Sequence, residues 1–290
     1  MDTPKVTVLI TAYNQPKYLN EAVESALNQK YHSLEVLVID DGSNPPMDKF
    51  LKSIDNNLVK YIKMEHKGFP YALIKGCEEA KGDFIAILDH DDTLTPGSIS
   101  KRVNAFQNGE GFVYGNINYM DKDGKIYSSQ NYKEFESADD FVKELIVAPI
   151  KPIKHSSVMF DREKLMSVGN YDSKMLSLFD TDLIIRIALK FGYSHINDKV
   201  LNYRTHGENA SRNIKHKLQG IQNMFEVIDR NYQSAPKKVL YKTQTVIYTL
   251  GKIVYHSVTF KKPQWLFGQE KKKETKKAYY IATDSPSKAF

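Results

Sequence analysis

Residues Phe84–Leu94 read FIAILDHDDTL, and no other stretch of the chain says as much about its architecture. Five apolar residues, typical of a strand buried on both faces of a sheet, are followed at once by the carboxylates Asp89, Asp91 and Asp92. Like charges this close together raise one another's pKa and repel. We therefore expect a divalent cation, held by carboxylate oxygens, at the end of this strand.

The segments on either side alternate between strand and helix patterns. Further strands are predicted at residues 6–10, 34–39 and 59–64, and helices at residues 19–27 and 70–80. Strands that alternate with helices are joined by right-handed crossovers. The sequence therefore predicts an α/β fold with a doubly wound, mostly parallel sheet up to about residue 109.

Polar residues follow three of these strands. The strand endings read Thr11-Ala12-Tyr13-Asn14, Asp40-Asp41-Gly42-Ser43 and Asp89-His90-Asp91-Asp92. In parallel α/β sheets ligands bind at the carboxyl ends of the strands, so these residues are expected to share one site. Asp41 is placed to accept an N–H from the edge of a nucleobase, and Tyr13 to lie against its face.

The pattern changes in the second half of the chain. A hairpin is predicted around residues 112–130, then a strand at 155–160, a helix at 180–191 and a return strand at 194–204. We predict residues 1–110 as an α/β half and residues 111–234 as a mixed α+β half of the same domain. Residues 235–290 form a basic, helical C-terminal extension.

Charge is distributed unevenly along the 290 residues. The net charge is +6, yet residues 235–290 carry twelve lysines against three acidic residues, so the remainder is mildly acidic. An acidic body argues against nucleic-acid binding. Cys77 is the single cysteine, which excludes an intramolecular disulfide and is compatible with a reducing cytoplasm. The opening segment leads directly into a strand, so we expect no signal peptide. No window holds the roughly 18 uninterrupted apolar residues typical of a spanning helix, so we expect none.

The C-terminal extension has two interpretations. Its apolar residues recur at helical spacing at Val246, Leu250, Ile253, Val254 and Val258. Trp265 and the lysines of Lys271–Lys277 follow, a combination that suits peripheral contact with an anionic membrane surface. The alternative is a helix that packs on the domain or forms an oligomer contact, followed by a solvated tail.

The carboxylate stretch itself admits three interpretations. A helix cap with a polar turn explains one aspartate but not three. Asp89-His90-Asp91-Asp92-Thr93 also matches the D-x-D-x-T motif of haloacid-dehalogenase-type phosphatases, with Asp89 as nucleophile and Asp91 as general acid. The third interpretation is a metal bridge to a nucleotide diphosphate. The phosphatase interpretation leaves Asp41 and Tyr13 unexplained.

An ordered set of motifs resembles the family 2 glycosyltransferases, which have the GT-A fold. The set begins with VLITAYNQPKYLNEAVESALNQKYHSLEVLVIDDGS and continues with KGDFIAILDHDDTLTP, HSSVMFDREKLMSVGNYD, DTDLIIRIALKFG and YRTHGENAS. The resemblance covers roughly residues 4–211. It implies that residues 1–110 are the nucleotide-sugar-binding half and residues 111–234 the acceptor-side half of one catalytic domain. It implies metal-dependent transfer, with inversion, from a nucleotide-sugar, which we expect to be a UDP-sugar, to a glycan or lipid-linked saccharide. It fits a cytoplasmic enzyme, peripheral on the inner face of the membrane.

The resemblance also implies roles for individual residues. Thr11, Tyr13, Asp41 and Asp89 would line the nucleotide site, Asp91 with Asp89 would bind Mn²⁺ or Mg²⁺, Asp180 would be the catalytic base, and His206 would face the diphosphate or metal. Arg204 and Arg212, which flank His206, make that segment electropositive and suited to a diphosphate. His90 and His155 are weaker candidates.

The sequence departs from the family pattern at two places. Family members often carry an Arg-Asn pair where this chain has Leu73 and Ile74, so a donor contact would come from Lys67 or Lys75, or be missing. The residue before the base is usually Glu and here is Phe179.

That second departure leaves a choice between Asp180 and Asp182 for the base. A helix that starts near Asp180 places this carboxylate at the cleft, where it could also cap the helix, while Asp182 points elsewhere and pairs with Arg186 at i+4. A silent nucleotide-sugar-binding module is a rival function, against which the intact aspartate set argues.

Overall fold

The computed structural model describes residues 3–52, 55–147, 153–175, 177–206 and 214–259, and of these the side chains of 147, 214–221 and 248–259 lie outside the description. The N-terminal half alternates strands and helices: β1 (Val6–Ala12), α1 (Leu19–Leu27), β2 (Leu34–Asp40), β3 (Val59–Lys63), α2 (Phe69–Glu79), β4 (Phe84–Asp89), β5 (Thr93–Leu94) and α3 (Ser98–Val103).

The second half is mixed. Its elements are β6 (Phe112–Met120), β7 (Ile126–Gln130), α4 (Ala138–Val147), β8 (Val158–Asp161), α5 (Arg162–Ser167), α6 (Phe179–Phe191), β9 (Tyr193–Arg204), α7 (Ile214–Asn231) and α8 (Ala235–Thr259). Within the described ranges, nine strands form one sheet in the order β3-β2-β1-β4-β8-β6-β9-β5, and β7 pairs with β6. The predicted α/β architecture is confirmed.

The N-terminal part of the sheet is parallel, because each strand returns through a crossover. β1 pairs in parallel with β2 and β4, and β2 with β3. The crossovers β1-α1-β2 and β3-α2-β4 run in opposite directions along the sheet, and right-handed connections of that kind put their helices on opposite faces. Both faces of β1 are therefore covered, and all seven of its residues are buried.

Helix α2 approaches the sheet closely at Gly76. A Cβ atom added there would lie 2.3 Å from Leu9 Cδ1, so a larger residue would push the helix away from β1. This close contact fixes where the N-terminus of α2 meets the carboxyl edge of the sheet.

The sheet changes direction beyond β4. β8 pairs antiparallel with both β4 and β6, whereas β9 is parallel to β6 and antiparallel to β5. β5 directly follows the carboxylate stretch after β4. Its pairing with β9 brings the end of β9 to those carboxylates.

The C-terminal helices pack on the second half of the domain. Thr245 of α8 is buried, and its Oγ1 donates to the carbonyl oxygen of Ile146 in α4 at 3.0 Å. On the outer side of α8, Val239, Leu240 and Ile247 are exposed. As far as residue 247, the helix therefore packs on the domain. The later residues of the apolar stripe, Trp265 and the Lys271–Lys277 cluster fall outside the described side chains.

Candidate active site

Three carboxylates converge where β4 ends. Asp89 is the last residue of β4, and a turn closed by the N–H of Asp92 donating to the Asp89 carbonyl at 3.1 Å brings Asp91 and Asp92 beside it. One ligand oxygen of each side chain lies within 4.8 Å of the others. Asp92 is buried, while Asp89 and Asp91 are half-buried.

The electrostatic crowding expected from the sequence is present at Asp92. Burial, and then the charges of Asp91 and Asp89, raise the pKa of the Asp92 carboxyl well above its usual range. One of its oxygens accepts the backbone N–H of Arg204 at 2.8 Å. A set of hard oxygen donors with excess negative charge fits Mg²⁺ or Mn²⁺, so the residues present match the implied cofactor.

His206 joins this cluster from the segment that follows β9. Its Nε2 lies 2.8 Å from Asp91 Oδ2, its side chain is buried, and its ring lies 5.5 Å from that of Tyr18. The structure thus brings together Asp91 and His206, which are 115 positions apart in the chain.

The electropositive surface expected beside His206 is not formed by Arg204. The Arg204 side chain is buried, with its Nε donating to the Asp91 carbonyl at 2.8 Å and its Nη2 to the Glu21 carboxylate. The guanidinium also lies over the Tyr18 ring, 4.3 Å from its centroid. Because its guanidinium is paired with Glu21 and bonded to the Asp91 carbonyl, Arg204 stabilises the loop that carries the carboxylates. Arg212 lies outside the described residues.

The ends of β1, β2 and β4 place the residues predicted for the nucleotide site at the same edge of the sheet. Ala12 is opposite Asp40 in the β1–β2 register, and Thr11 is opposite Asp89 in the β1–β4 register. Thr11 is buried, whereas Tyr13 is 42% exposed. Tyr13 therefore lies in the loop after β1 with part of its side chain accessible to solvent.

Asp41 holds the loop that leads into α2. Its Oδ1 accepts the backbone N–H of Lys67 at 2.9 Å, and its Oδ2 accepts that of Gly68 at 3.0 Å. The side chain of Lys67 is exposed, whereas Lys75 is bound to Glu79 at 2.8 Å on α2. Of the two lysines considered for a donor contact, Lys67 lies against the predicted nucleotide site.

His66 also belongs to this region, although the sequence did not single it out. Its ring stacks on Tyr13, with 4.1 Å between centroids and 11° between planes, and its Nδ1 lies 2.9 Å from Asp41 Oδ2. Its position just before the loop to α2, after a strand ending at the same edge, is the signal that could have identified it.

His90 and His155 have structural partners. Burial lowers the pKa of the His90 imidazole, and its Nε2 lies 2.9 Å from Gln15 Oε1. His155 is buried, with its Nε2 2.8 Å from the Tyr171 hydroxyl. Gln15, which follows the end of β1, was not anticipated as a neighbour of the carboxylate stretch.

Asp180 is the second residue of α6, and its side chain is 6% exposed. The helix begins at Phe179, with Leu178 as the N-cap residue, so Asp180 does not occupy the cap position that the sequence left open to it. Its Oδ1 instead accepts the N–H of Thr181 at 2.8 Å. Phe179, the departure from the family pattern, packs against Phe69 at 5.4 Å between ring centroids, which joins the starts of α6 and α2.

Asp182 is fully buried and engaged in ion pairs. The predicted i+4 partner, Arg186, is found at 2.7 Å between Nη2 and Oδ2. Arg230 of α7 adds a second contact, with Nη1 3.1 Å from Asp182 Oδ1, and also binds Asp172 at 2.8 Å. Asp182 therefore joins α6 to α7 through its ion pairs, and the assignment of Asp180 as the catalytic base stays a prediction.

Comparisons with known proteins extend this description. Residues 7–165 match the family model described as glycosyl transferase family 2. Chondroitin synthase from Escherichia coli is 27% identical over 232 residues, which cover 79% of this chain and 32% of that protein. The chain thus spans about a third of the length of this relative.

Two solved structures resemble the fold. TarS 1-349 of S. aureus in complex with UDP-GlcNAc has a TM-score of 0.66 at 17% identity, covering 90% of this chain and 78% of that one. The mannosyltransferase PcManGT from Pyrobaculum calidifontis, in complex with GDP-Man and Mn²⁺, has a TM-score of 0.56 at 16% identity, covering 97% and 79%. The likeness is one of fold, and the curled, mostly parallel sheet is of the GT-A type.

Proposed function

The chain belongs to glycosyl transferase family 2, and on that basis we propose that it moves a sugar from a nucleotide-diphosphate donor, a UDP-sugar, to a hydroxyl of a glycan or lipid-linked saccharide. The observation that carries this proposal is the convergence of Tyr13, Asp41, Asp89 and Asp91 at one sheet edge. The neighbours bound to UDP-GlcNAc and to GDP-Man support a nucleotide-sugar donor.

The carboxylates after β4 would hold the metal. Asp91 is the expected direct ligand, with Asp89 and His206 beside it, and Asp92 lies buried behind them. When bound, Mn²⁺ or Mg²⁺ supplies positive charge that neutralises the charge building on the departing diphosphate. In this arrangement His206 orients the Asp91 carboxylate through its contact at 2.8 Å.

Asp180 would act on the acceptor as general base. The acceptor oxygen attacks the anomeric carbon as its proton passes to the Asp180 carboxylate. The bond from that carbon to the diphosphate oxygen breaks, and the electron pair leaves with the diphosphate. Direct displacement of this kind inverts the anomeric configuration.

A panel of nucleotide-sugars, each with and without Mn²⁺, tests the proposed function. We expect UDP-sugars to bind in the presence of Mn²⁺ or Mg²⁺ and to be hydrolysed slowly without an acceptor, since water can take the acceptor's place. Binding is measured by calorimetry and hydrolysis by release of UDP. Binding without any hydrolysis or transfer would instead indicate a silent module, and failure of every nucleotide diphosphate to bind would contradict the proposal.

The C-terminal extension would bring the enzyme to the inner face of an anionic membrane, where a lipid-linked acceptor is found. The described part of the chain contains no helix long and apolar enough to span a bilayer. Attachment is therefore proposed as peripheral, through the lysines of residues 235–290 together with the exposed Val239, Leu240 and Ile247 of α8.

Replacement of the five lysines within Lys271–Lys277 by glutamine is expected to abolish co-sedimentation with anionic vesicles at low salt. Lysines near such a surface contribute about 1 kcal/mol each, screened by salt. Hydrolysis of the sugar donor should be unchanged. Substitution is preferable to truncation after Ser234, because Thr245 packs on α4.

Neutral vesicles and a Lys122→Gln variant serve as controls, since Lys122 is exposed on the β6–β7 hairpin. If the intact protein did not co-sediment with anionic vesicles at low salt, the membrane proposal would be contradicted.

A further inference from the structure

The imidazole of His66 makes the two contacts that the proposed function assigns to the nucleobase. It stacks on Tyr13, with 4.1 Å between ring centroids and 11° between ring planes. Its Nδ1 lies 2.9 Å from Oδ2 of Asp41 and 3.0 Å from the Asp41 carbonyl oxygen. A flat ring, stacked on a tyrosine with an N–H directed at a carboxylate, is also how a nucleobase would sit here.

The backbone around His66 is held independently of its side chain. The backbone N–H groups of Lys67 and Gly68 donate to the Asp41 carboxylate. The loop also passes so close to Gly42 that a Cβ atom added there would lie 2.6 Å from the backbone nitrogen of His66. Gly42 has φ of 79°, which suits the tight turn after Asp41. The loop is thus held through its own backbone N–H groups, and the imidazole takes no part in these contacts.

The His66 side chain itself is 51% exposed. Because one side of it faces solvent, rotation about its side-chain torsions can carry the ring away from Tyr13 without moving the loop. The stack and the contact with Asp41 would then be free for another flat ring.

We infer that His66 is a further determinant of nucleotide affinity: its imidazole occupies the nucleobase position in the ligand-free protein, and the base of the donor binds by displacing it. The inference rests on the proposed function, because it requires a nucleotide at Tyr13 and Asp41. Displacement exchanges one stack and one hydrogen bond for another of each kind, so His66 lowers the net affinity.

The geometry also favours certain bases. Uracil, thymine and guanine present a ring N–H at the edge that would face Asp41, whereas the corresponding ring nitrogen of cytosine is an acceptor. Uracil, thymine or guanine can replace the hydrogen bond between His66 and Asp41 that displacement breaks. Cytosine cannot replace it through that ring nitrogen. UDP is therefore the appropriate probe, with CDP as its comparison.

Calorimetric titration with UDP and Mg²⁺ tests the inference. If the imidazole occupies the site in about nine molecules of ten, His66→Ala should bind UDP about tenfold more tightly than the wild type. His32→Ala is the matched control, because His32 is exposed and precedes β2 at the opposite edge of the sheet. Unchanged or weaker UDP binding by His66→Ala would overturn the inference.

Histidine ring signals in the NMR spectrum of the wild-type protein provide a second measurement that does not depend on a variant. Stacking on Tyr13 should shift the His66 signals upfield, and UDP with Mg²⁺ should return them to the values of a solvated histidine, whereas CDP should do so only at higher concentration. Persistence of the upfield shift at saturating UDP would overturn the inference while leaving the proposed function intact. If neither wild type nor His66→Ala bound UDP, the proposed function would fail as well.

Discussion

Replacing Asp91 with asparagine is expected to lower kcat/KM for sugar transfer by about a hundredfold or more, which corresponds to about 2.7 kcal/mol of transition-state stabilisation. Asp91 belongs to the carboxylate cluster and contacts His206, so the substitution would remove the proposed metal ligand and its charge. Release of UDP at saturating Mn²⁺ measures the loss. The concentration of Mn²⁺ that gives half of the maximal rate should rise in parallel.

The matched control is Asp123→Asn. Asp123 is exposed in the hairpin turn between β6 and β7, where removal of one carboxylate should leave both activity and metal dependence unchanged. Thermal unfolding of both variants should resemble that of the wild type, because removing one carboxylate from the crowded cluster relieves repulsion. Full wild-type activity in excess EDTA would exclude the metal site.

Asp180→Asn should lose about a thousandfold in kcat for transfer, within the range that a general base contributes. Donor binding should be retained, because Asp180 is proposed to act on the acceptor proton and not on the nucleotide. The amide keeps the side-chain oxygen that accepts the Thr181 N–H, so helix α6 should remain folded. Transfer kinetics together with calorimetric binding of UDP separate the two effects.

Asp182→Asn is the informative comparison, since it makes the same chemical change two residues away. Asp182 is fully buried between Arg186 and Arg230, and weakening these ion pairs should lower the free energy of unfolding by about 3 kcal/mol. The folded fraction should still transfer sugar. If folded Asp182→Asn were inactive and Asp180→Asn were active, the assignment of the base would be wrong.

Much of the fold could be predicted from the chain because its strands are continuous apolar runs separated by helices. The parallel direction of β1 to β4 follows from the crossovers that connect them. The antiparallel pairing of β8 with β4 could not be predicted in this way. β8 has only four residues, and no local sequence pattern indicates which strand it pairs with.

The residues that gather at the sheet edge could be predicted where they adjoin a strand end, but not where a contact depends on distant parts of the chain. His66 meets Asp41 across 25 positions, and Arg230 meets Asp182 across 48. The error over Arg204 has the same origin, because a local count of charge includes the arginine but not Glu21, which is 183 positions away. Asp91 and His206 were associated through the family resemblance and not through their spacing.

The ion pairs of Asp182 affect local unfolding of the helices that they connect. Arg230 lies in α7, and it helps to neutralise a carboxylate of α6, the helix that carries Asp180. If α7 detached, Asp182 would lose part of its compensating charge while still buried, which is costly. We therefore expect local unfolding of α7 to be coupled to that of α6, so that amide hydrogen exchange in the two helices reports one cooperative unit.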